Sequence, residues 1–255
     1  MNNKHLTVYW GEELGRYGFG EDHPLGQDRL AAFRVAAISA GIDLSAEIAA
    51  PVPCNVIDLI LFHAPASVQR VEGQSSICKG YLDCGDTPAY PGRYDAGRFV
   101  VGTGLAAINR IMKHDWHHAF VPIGGLHHAR RNGAAGFSVF NDCGIMIEAL
   151  RRRFGIVRLA YVDIDAHHGD GVYYAFEEDP DLAIADIHED GRYLYPGTGT
   201  ASEDGKGIAR GTKLNIPLAP GSTDSDFFRV WSQVETLVEG HKPEFIIFQA
   251  GVDSM

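Results

Sequence analysis

The stretch of residues 155–171 limits the choice of fold more than any other part of the sequence. Its first half, residues 156–162, is almost entirely apolar, which is typical of a parallel strand covered on both faces. Polar side chains then follow at Asp163, Asp165 and His167. In an extended chain these three side chains point to one side, about 6–7 Å apart. The stretch therefore predicts a buried strand that ends in a polar site, where open α/β sheets bind their ligands.

Apolar runs and helical periodicity alternate along the rest of the chain. We predict strands at 5–10, 56–62, 119–123, 156–162, 182–187, 213–218 and 245–248, and helices at 27–40, 98–113, 142–154, 171–178 and 224–238. Asn141 and Thr223 are expected to cap the helices that follow them, and residues 73–97 to form a long surface loop. This alternation favours a single α/β domain over residues 1–255, with a mostly parallel central sheet between layers of helices.

Composition narrows the class of protein without giving its function. The chain has 255 residues, of which 45% are hydrophobic and 22% charged, which suits one large domain of a soluble protein. The net charge of −11 argues against direct nucleic-acid binding, because such proteins carry a basic face. The four cysteines form no C-x-x-C pair and indicate reduced thiols in a cytoplasmic protein. The sequence shows no signal peptide and no apolar stretch of membrane-spanning length.

Polar residues follow three of the predicted strands. His127 and His128 come after one strand, Asp165 and His167 after the central one, and Asp253 after the last. Because the carboxyl ends of parallel strands converge on one edge of a sheet, we expect these side chains to meet there. One imidazole and two carboxylates leave coordination positions open, as a catalytic metal requires.

Two further carboxylates suggest what the paired imidazoles do. Asp163 and Asp170 remain near the expected metal site, and we expect them to pair with His127 and His128. A carboxylate bonded to one ring nitrogen fixes the tautomer and raises the basicity of the other nitrogen. The pattern favours metal-assisted hydrolysis, in which a metal-bound water gives its proton to a histidine.

Several long motifs resemble those of the histone deacetylase family, and they occur in the same order. They are GGLHHA at 124–129, GF at 136–137, FND at 140–142, DIDAHHGDG at 163–171, YPGTG at 195–199 and QAGVDS at 249–254. The family includes prokaryotic acetoin-utilisation proteins and acetylpolyamine amidohydrolases. The resemblance covers the chain from about Asp22 to Met255. It implies an arginase-like three-layer α/β/α fold and hydrolysis of an acetyl-amide, usually on a lysine.

The resemblance also implies two kinds of metal site. Asp165, His167 and Asp253 would bind Zn²⁺, with Fe²⁺ as the alternative. Backbone oxygens of Asp163, Asp165 and His167 match a structural K⁺ site. Asp186 stands where many members of the family have Ser, so this second site is expected to differ in detail.

The catalytic residues follow from the same resemblance. His128, paired with Asp170, would be the principal general base. His127, paired with Asp163, would act as an electrostatic partner or acid.

Four further residues would contact the substrate, according to the resemblance. Phe137 and Tyr195 would wall the tunnel for the acyl-lysine stem, next to Gly136, and Asp86 would grip the substrate backbone at the rim. The family adds a Tyr or His beyond the last metal ligand to stabilise the oxyanion, and loss of one such donor costs about 10²–10³ in rate. We therefore expect the natural protein to continue past Met255.

Other interpretations remain open at this point. The substrate is an acetylated protein or a small acetyl-amine such as an acetylpolyamine, and an esterase would use the same centre. A domain that binds acyl-lysine without turnover and a binuclear hydrolase of the arginase type are the alternatives outside this activity. Oligomerisation is open, and no membrane partner is expected. Five other histidines are interpreted as structural or surface residues: His23, His63, His117, His118 and His188.

Overall fold

A computed structural model of the chain describes residues 6–19, 25–77, 79–113 and 117–253. The predictions made for His5 and His23 lie outside these ranges. The chain divides into two compact units, Met1–Ala149 and Leu150–Met255, and the single-domain prediction stays a prediction. Within the described ranges, no helix combines the length and the apolarity needed to cross a lipid bilayer.

The first unit contains a sheet of three short parallel strands. The central strand is β1 (Leu6–Tyr9), and it pairs on its two sides with β2 (Glu47–Ala49) and β3 (His118–Phe120). The helices of this part of the chain are α1 (Glu12–Gly15), α2 (Arg29–Ser39), α3 (Ile42–Ser45), α4 (Val56–Leu59), α5 (Pro65–Ile77), α6 (Arg93–Lys113) and α7 (Asp142–Phe154). The predicted helices at 27–40, 98–113 and 142–154 are thereby confirmed.

The strand predicted at 56–62 is wrong. Residues 56–59 form the short helix α4, which is followed by turns. Asn55 and Asp58 form a capping box at its start, and this local signal outweighs the β-branched composition of the run. Val56 and Ile57 are also exposed, at 48% and 71%, so the apolar run does not mark a buried strand.

The long loop predicted at 73–97 is shorter than expected. Helix α5 continues to Ile77, and α6 already begins at Arg93. The apolar stripe of α6, which includes Val100, Val101 and Ile108, is buried. Packing of this stripe extends the helix through Gly97, a residue that sequence propensity alone disfavours in a helix.

The second unit contains a parallel sheet of four strands, in the order β6-β5-β4-β7. These strands are β4 (Leu159–Asp163), β5 (Leu182–Glu189), β6 (Lys213–Leu218) and β7 (Phe245–Gln249). All five residues of β4 are buried, and the strand pairs with β5 on one side and β7 on the other. The predicted buried central strand is confirmed, although the strand starts at Leu159 rather than at Ile156.

Helix α9 (Asp224–His241) covers the sheet of the second unit. Its apolar side chains pack on a cluster that includes Val162, Ile187 and Ile216. The predicted cap at Thr223 is confirmed, because its backbone N–H donates to the Asp226 carboxylate (3.0 Å). The other helical segments of this unit are α8 (Asp170–Phe176) and a 3-10 turn at Gly207–Ala209. This half of the chain thus builds a rigid parallel sheet, with polar loops after β4, β5 and β7.

Candidate active site

The three predicted metal ligands lie together at the carboxyl ends of β4 and β7. The Nδ1 atom of His167 is 3.0 Å from Asp165 Oδ1 and 3.1 Å from Asp253 Oδ2. One donor atom from each residue lies within 4.8 Å of the others. Because β4 and β7 are parallel neighbours, the loops that leave them bring Asp165 and Asp253 to the same place. We refer to these three residues as the Asp–His–Asp cluster.

The spacing expected for an extended chain does not hold beyond Asp163. The strand ends at Asp163, and the following turn directs Asp165 and His167 at each other. Asp163 itself is fully buried and accepts hydrogen bonds from the Tyr161 hydroxyl (2.6 Å) and the Asp165 N–H (3.1 Å). Asp163 therefore shapes the turn beneath the cluster.

Two residues of the last motif fix the orientation of Asp165. The Gln249 side-chain amide donates to Asp165 Oδ2 (3.0 Å), and the Gly251 N–H donates to Gln249 Oε1. A Cβ at Gly251 would overlap with the Asp165 carboxylate, with Cγ only 2.7 Å away. The chain can approach Asp165 this closely only because residue 251 has no side chain. Both residues belong to the QAGVDS motif, but the sequence pattern alone did not indicate that they orient a metal ligand.

Hydrogen bonds to the two carboxylates change the protonation of His167. The bonds to Asp165 and then to Asp253 raise the pKa of His167 to about 9, despite partial burial. Burial is the largest influence on Asp253 and raises its pKa, but the bond and charge of His167 and the bond from the Ala166 N–H together outweigh it, so the pKa is lowered. With His167 protonated, a proton lies between the two carboxylates, at the place where a cation would be attracted.

The donor set and its geometry suit a small divalent transition metal. Ligands bonded at about 2.0–2.2 Å in a tetrahedral arrangement lie about 3.4 Å apart, close to the observed separations of 3.0 and 3.1 Å. Imidazole with carboxylates is a donor set typical of Zn²⁺ and of non-haem iron. The Asp253 side chain is 44% exposed, which leaves one side of the cluster open to water or substrate.

Tyr195 lies beside the Asp–His–Asp cluster. Its ring centre is 6.4 Å from that of His167, and the residue is 40% exposed. The loop after Tyr195 is held from below by two buried imidazoles. His168 Nδ1 bonds to Thr198 Oγ1 (2.8 Å), and His188 Nε2 donates to the Gly199 carbonyl (2.9 Å). The predicted structural role of His188 is confirmed at this loop.

A buried ion pair completes this support. His188 Nδ1 lies 2.6 Å from Asp186 Oδ1. Burial lowers the pKa of His188, but the Asp186 carboxylate outweighs it and the net shift is upward. Asp186 also accepts the Gly169 N–H (2.9 Å), just before Asp170, which is buried at the start of α8. Sequence analysis noted the unusual Asp186 but did not predict its partner.

The two predicted catalytic imidazoles lie against each other in the first unit. The Nε2 atoms of His127 and His128 are 3.1 Å apart, and both residues are at least 95% buried. At this distance one nitrogen must donate and the other accept, since two N–H groups facing each other would repel. At least one imidazole of the pair therefore stays neutral.

A network of buried polar groups holds this pair of histidines. The Asn141 side-chain amide donates to the carbonyls of His127 (3.2 Å) and Ala129 (2.8 Å), and its oxygen accepts the Gly144 N–H (2.8 Å). The predicted cap at Asn141 is confirmed by this last bond. The neighbouring Asp142 carboxylate accepts the N–H groups of Gly125 and Leu126. The start of α7 thus fixes the backbone on both sides of His127.

His63 is the structural residue that sequence analysis expected. Its Nδ1 donates to the Arg130 carbonyl (2.9 Å), and its Nε2 accepts the Asn141 N–H (2.9 Å). Burial lowers the pKa of His63 to about 4, so the ring stays neutral near pH 7. A protonated ring would point an N–H at the Asn141 N–H. His63 thus links the segment after His128 to the start of α7.

The segment of Gly136 and Phe137 has an unusual backbone. Phe137 has a φ of 64°, a left-handed conformation that is rare for a bulky residue. Its N–H donates to Thr87 Oγ1 (3.1 Å), and its carbonyl accepts the Tyr17 hydroxyl (2.8 Å). Thr87 in turn donates to the Asp83 carboxylate. These contacts fix the backbone of Phe137, and its role as a tunnel wall stays a prediction.

Asp86 lies on the exposed loop that Asp83 organises. One oxygen of Asp83 accepts the N–H groups of Gly85, Asp86 and Thr87, each at 2.9 Å. The Asp86 side chain is exposed, as a rim residue should be. Its contact with substrate stays a prediction.

The strands that precede the predicted site residues belong to two different sheets. Strand β3, which precedes the two histidines, pairs with β1 in the sheet of the first unit. We expected the three strands that precede the site residues to belong to one sheet. For β3 this prediction is wrong in the described part of the chain, because β3 belongs to the three-stranded sheet. The pairings of His127 with Asp163 and of His128 with Asp170 stay predictions. His117 and His118 are exposed, which confirms their interpretation as surface residues.

Comparison with known proteins identifies related sequences. A family model described as "Histone deacetylase domain" matches residues 23–255. The acetoin utilization protein AcuC of Bacillus subtilis (strain 168) is 35% identical over 248 residues, which cover 93% of this chain and 63% of that protein. The AcuC protein of Staphylococcus aureus (strain MRSA252) is 30% identical over 256 residues, with coverage of 97% and 66%. The chain thus spans about two thirds of the length of these curated relatives.

The fold is also similar to that of solved structures. The crystal structure of an HDAC homolog from Aquifex aeolicus matches with a TM-score of 0.89 and 29% sequence identity, over 99% of this chain and 70% of that chain. The predicted α/β class of the arginase and deacetylase type, with parallel sheets flanked by helices, is thereby confirmed.

Proposed function

Because the chain belongs to the histone deacetylase family, we propose that this protein is a metal-dependent hydrolase that removes acetyl or short acyl groups from lysine side chains of proteins. The observation that carries the proposal is the Asp–His–Asp cluster beside Tyr195. One donor atom from each of its three residues lies within 4.8 Å of the others. The Asp253 side chain is 44% exposed, so water or substrate can reach the cluster.

The cluster would hold one Zn²⁺ or Fe²⁺ ion through Asp165, His167 and Asp253. When bound, such an ion polarises the acyl carbonyl and lowers the pKa of a coordinated water toward neutrality. Gln249 orients the Asp165 carboxylate by donating to the oxygen that does not face His167. This contact leaves the other oxygen of Asp165 facing His167, where it would be available to hold the ion.

His127 and His128 would move the protons of the reaction. Since at least one of the two rings is neutral, the pair can accept a proton from the attacking water. We assign this role to His128, paired with Asp170, and the supporting electrostatic role to His127, paired with Asp163. The buried bonds of Asn141 to this segment would hold both rings in place while the proton is transferred.

Phe137 and Tyr195 would enclose the aliphatic stem of the substrate, with Gly136 allowing its close approach. Apolar walls favour the uncharged acyl-lysine over free lysine, whose ammonium group would lose its hydration in such a tunnel. Asp86 would accept hydrogen bonds from the substrate backbone at the rim. A structural K⁺ near the backbone of Asp163 and His167 is part of the same proposal.

The test separates metal binding from proton transfer. We expect about one tightly bound metal ion per chain, and loss of both metal and acetate release in Asp165→Asn. Asp190→Asn is the control, because Asp190 is a carboxylate of the same unit that pairs with Arg192. In His128→Ala, turnover should fall by about 10²–10⁴-fold while the metal content stays unchanged.

Substrates should be compared in the same assay. Acetylated peptides are expected to release acetate faster than acetylated diamines. Faster turnover of the diamines would indicate that the substrate is a small acetylated amine rather than a protein. Metal binding and acetyl-peptide binding without acetate release from any substrate would contradict the enzyme proposal and favour a binding module.

A further inference from the structure

Arg93, the first residue of α6, is a buried cation that has no carboxylate partner among the residues that the structure describes. It is only 2% exposed, and its Nη2 group donates to the Gly18 carbonyl (2.6 Å). Its Nε and Nη1 groups are buried and have no acceptor among the residues that the structure describes. Burying a charged group without such partners costs several kcal/mol, roughly. The described residues therefore leave the guanidinium without an anionic partner.

The aromatic rings around Arg93 do not supply hydrogen-bond acceptors for its N–H groups. The Arg93 guanidinium carbon lies 3.7 Å from the centre of the Phe19 ring and 5.3 Å from that of Tyr17. At 3.7 Å it can only lie over the ring face, so Phe19 covers the face of the guanidinium. The N–H groups point outward in the guanidinium plane and still require acceptors. Burial lowers the pKa of Arg93, but a guanidinium stays charged at any physiological pH.

A cavity of about 150 Å³ opens directly onto this side chain. It is lined by Arg16, Gly18, Gln27, Tyr90, Pro91 and Arg93. In the described part of the chain, the lining thus offers two guanidinium groups and an amide but no carboxylate. Since a water molecule occupies about 30 Å³ in the liquid, the cavity has room for an ion the size of acetate or phosphate.

We propose that this cavity is a binding site for a small oxyanion, held by the unpartnered donors of Arg93 and assisted by Arg16 and Gln27. The anion would accept hydrogen bonds from a desolvated guanidinium, the type of contact that is strongest for carboxylates and phosphates. The position of Arg93 at the first turn of a long helix adds the favourable field of the helix N-terminus. The inference does not rest on the proposed hydrolase activity.

The test follows the thermal midpoint of the protein while acetate or phosphate is added, with sodium chloride at equal ionic strength as the reference. A ligand that binds only the folded state raises the midpoint in a saturable way. We expect such a rise with acetate or phosphate and not with chloride. In Arg93→Met the apparent dissociation constant should increase about tenfold or more. Arg98→Met is the matched control, since Arg98 lies on α6 and is bound to Asp95 and Cys54 outside the cavity.

Two results would overturn the site. One is an equal response of wild-type protein and Arg93→Met, and the other is a response to chloride that matches the response to the oxyanions. If Arg93→Met does not fold, the wild-type protein decides the question through a crystal soaked in selenate. Anomalous density within hydrogen-bond distance of Arg93 Nε or Nη1 supports the site, and an empty cavity at saturating selenate refutes it.

Discussion

The Asp–His–Asp cluster and the pair of His127 and His128 are built on opposite principles. The cluster lies on loops, is partly exposed, and holds a proton between two carboxylates. The histidine pair is buried, and its backbone is held by side chains of the helix that follows. In the proposed mechanism the cluster exchanges a cation and water and needs access to solvent, whereas the histidine pair relays a proton and needs fixed geometry. The comparison predicts that substitutions near the pair cost stability and those near the cluster cost affinity.

Replacement of Asn141 should have the largest effect. Asn141→Ala removes three side-chain bonds and leaves the carbonyls of His127 and Ala129 buried without their donor. We expect the free energy of unfolding to fall by about 3 kcal/mol, as for a broken buried network. Urea denaturation measures this loss. A change below about 1 kcal/mol would show that the pair is not held by this network.

Substitution of Gly251 should affect the cluster instead. In Gly251→Ala the new Cβ displaces the Asp165 carboxylate, and metal affinity is expected to fall by about 10–100-fold. Gly240→Ala is the control, because nothing lies within 4 Å of a Cβ at Gly240. A chelator competition assay gives both affinities. Equal affinities in the two variants would mean that the orientation of Asp165 does not control metal binding.

Acid should weaken the histidine-pair region through His63. The folded protein keeps His63 neutral down to a pH of about 4, whereas the unfolded chain takes up a proton below about 6.5. The unfolded state therefore binds more protons between these values, and stability falls as the pH drops through this window. The loss between pH 7 and pH 5 should be about 2 kcal/mol.

The variant His63→Gln isolates this contribution. Its unfolding free energy should depend less on pH over the same range, since Gln does not titrate. If urea denaturation shows the same pH dependence for the variant and the wild-type protein, His63 is not the group responsible.

Substitution of His117 and His118, a second His-His pair that lies on the surface, should have the smallest effect on stability and activity. His117 and His118 are exposed, so the double variant His117→Ala/His118→Ala should change the unfolding free energy by less than about 0.5 kcal/mol per site. Acetate release should not change. A loss of activity comparable to that of His128→Ala would contradict the interpretation of His117 and His118 as surface residues without a role in the reaction.

Sequence patterns predicted the second unit better than the first. Strands β4 to β7 follow short apolar runs with clear ends, and the polar residues after β4 and β7 indicated the Asp–His–Asp cluster. Periodicity could not show that residues 56–59 form a helix, because an apolar run of that length suits a strand equally well. It also could not predict the bond between His63 and Asn141, which lie 78 positions apart.

The carboxylate of Asp253 joins two distant parts of the second unit. It accepts the N–H of Ala166, 87 positions earlier in the chain, and it belongs to the same cluster as Asp165. A cation shared by these carboxylates would join residues that are far apart in the sequence, and because it binds only the folded state it would stabilise that state. Loss of the ion should then loosen the ends of β4 and β7 together, so that depletion of the metal exposes this part of the protein to proteolysis as well as removing its chemistry.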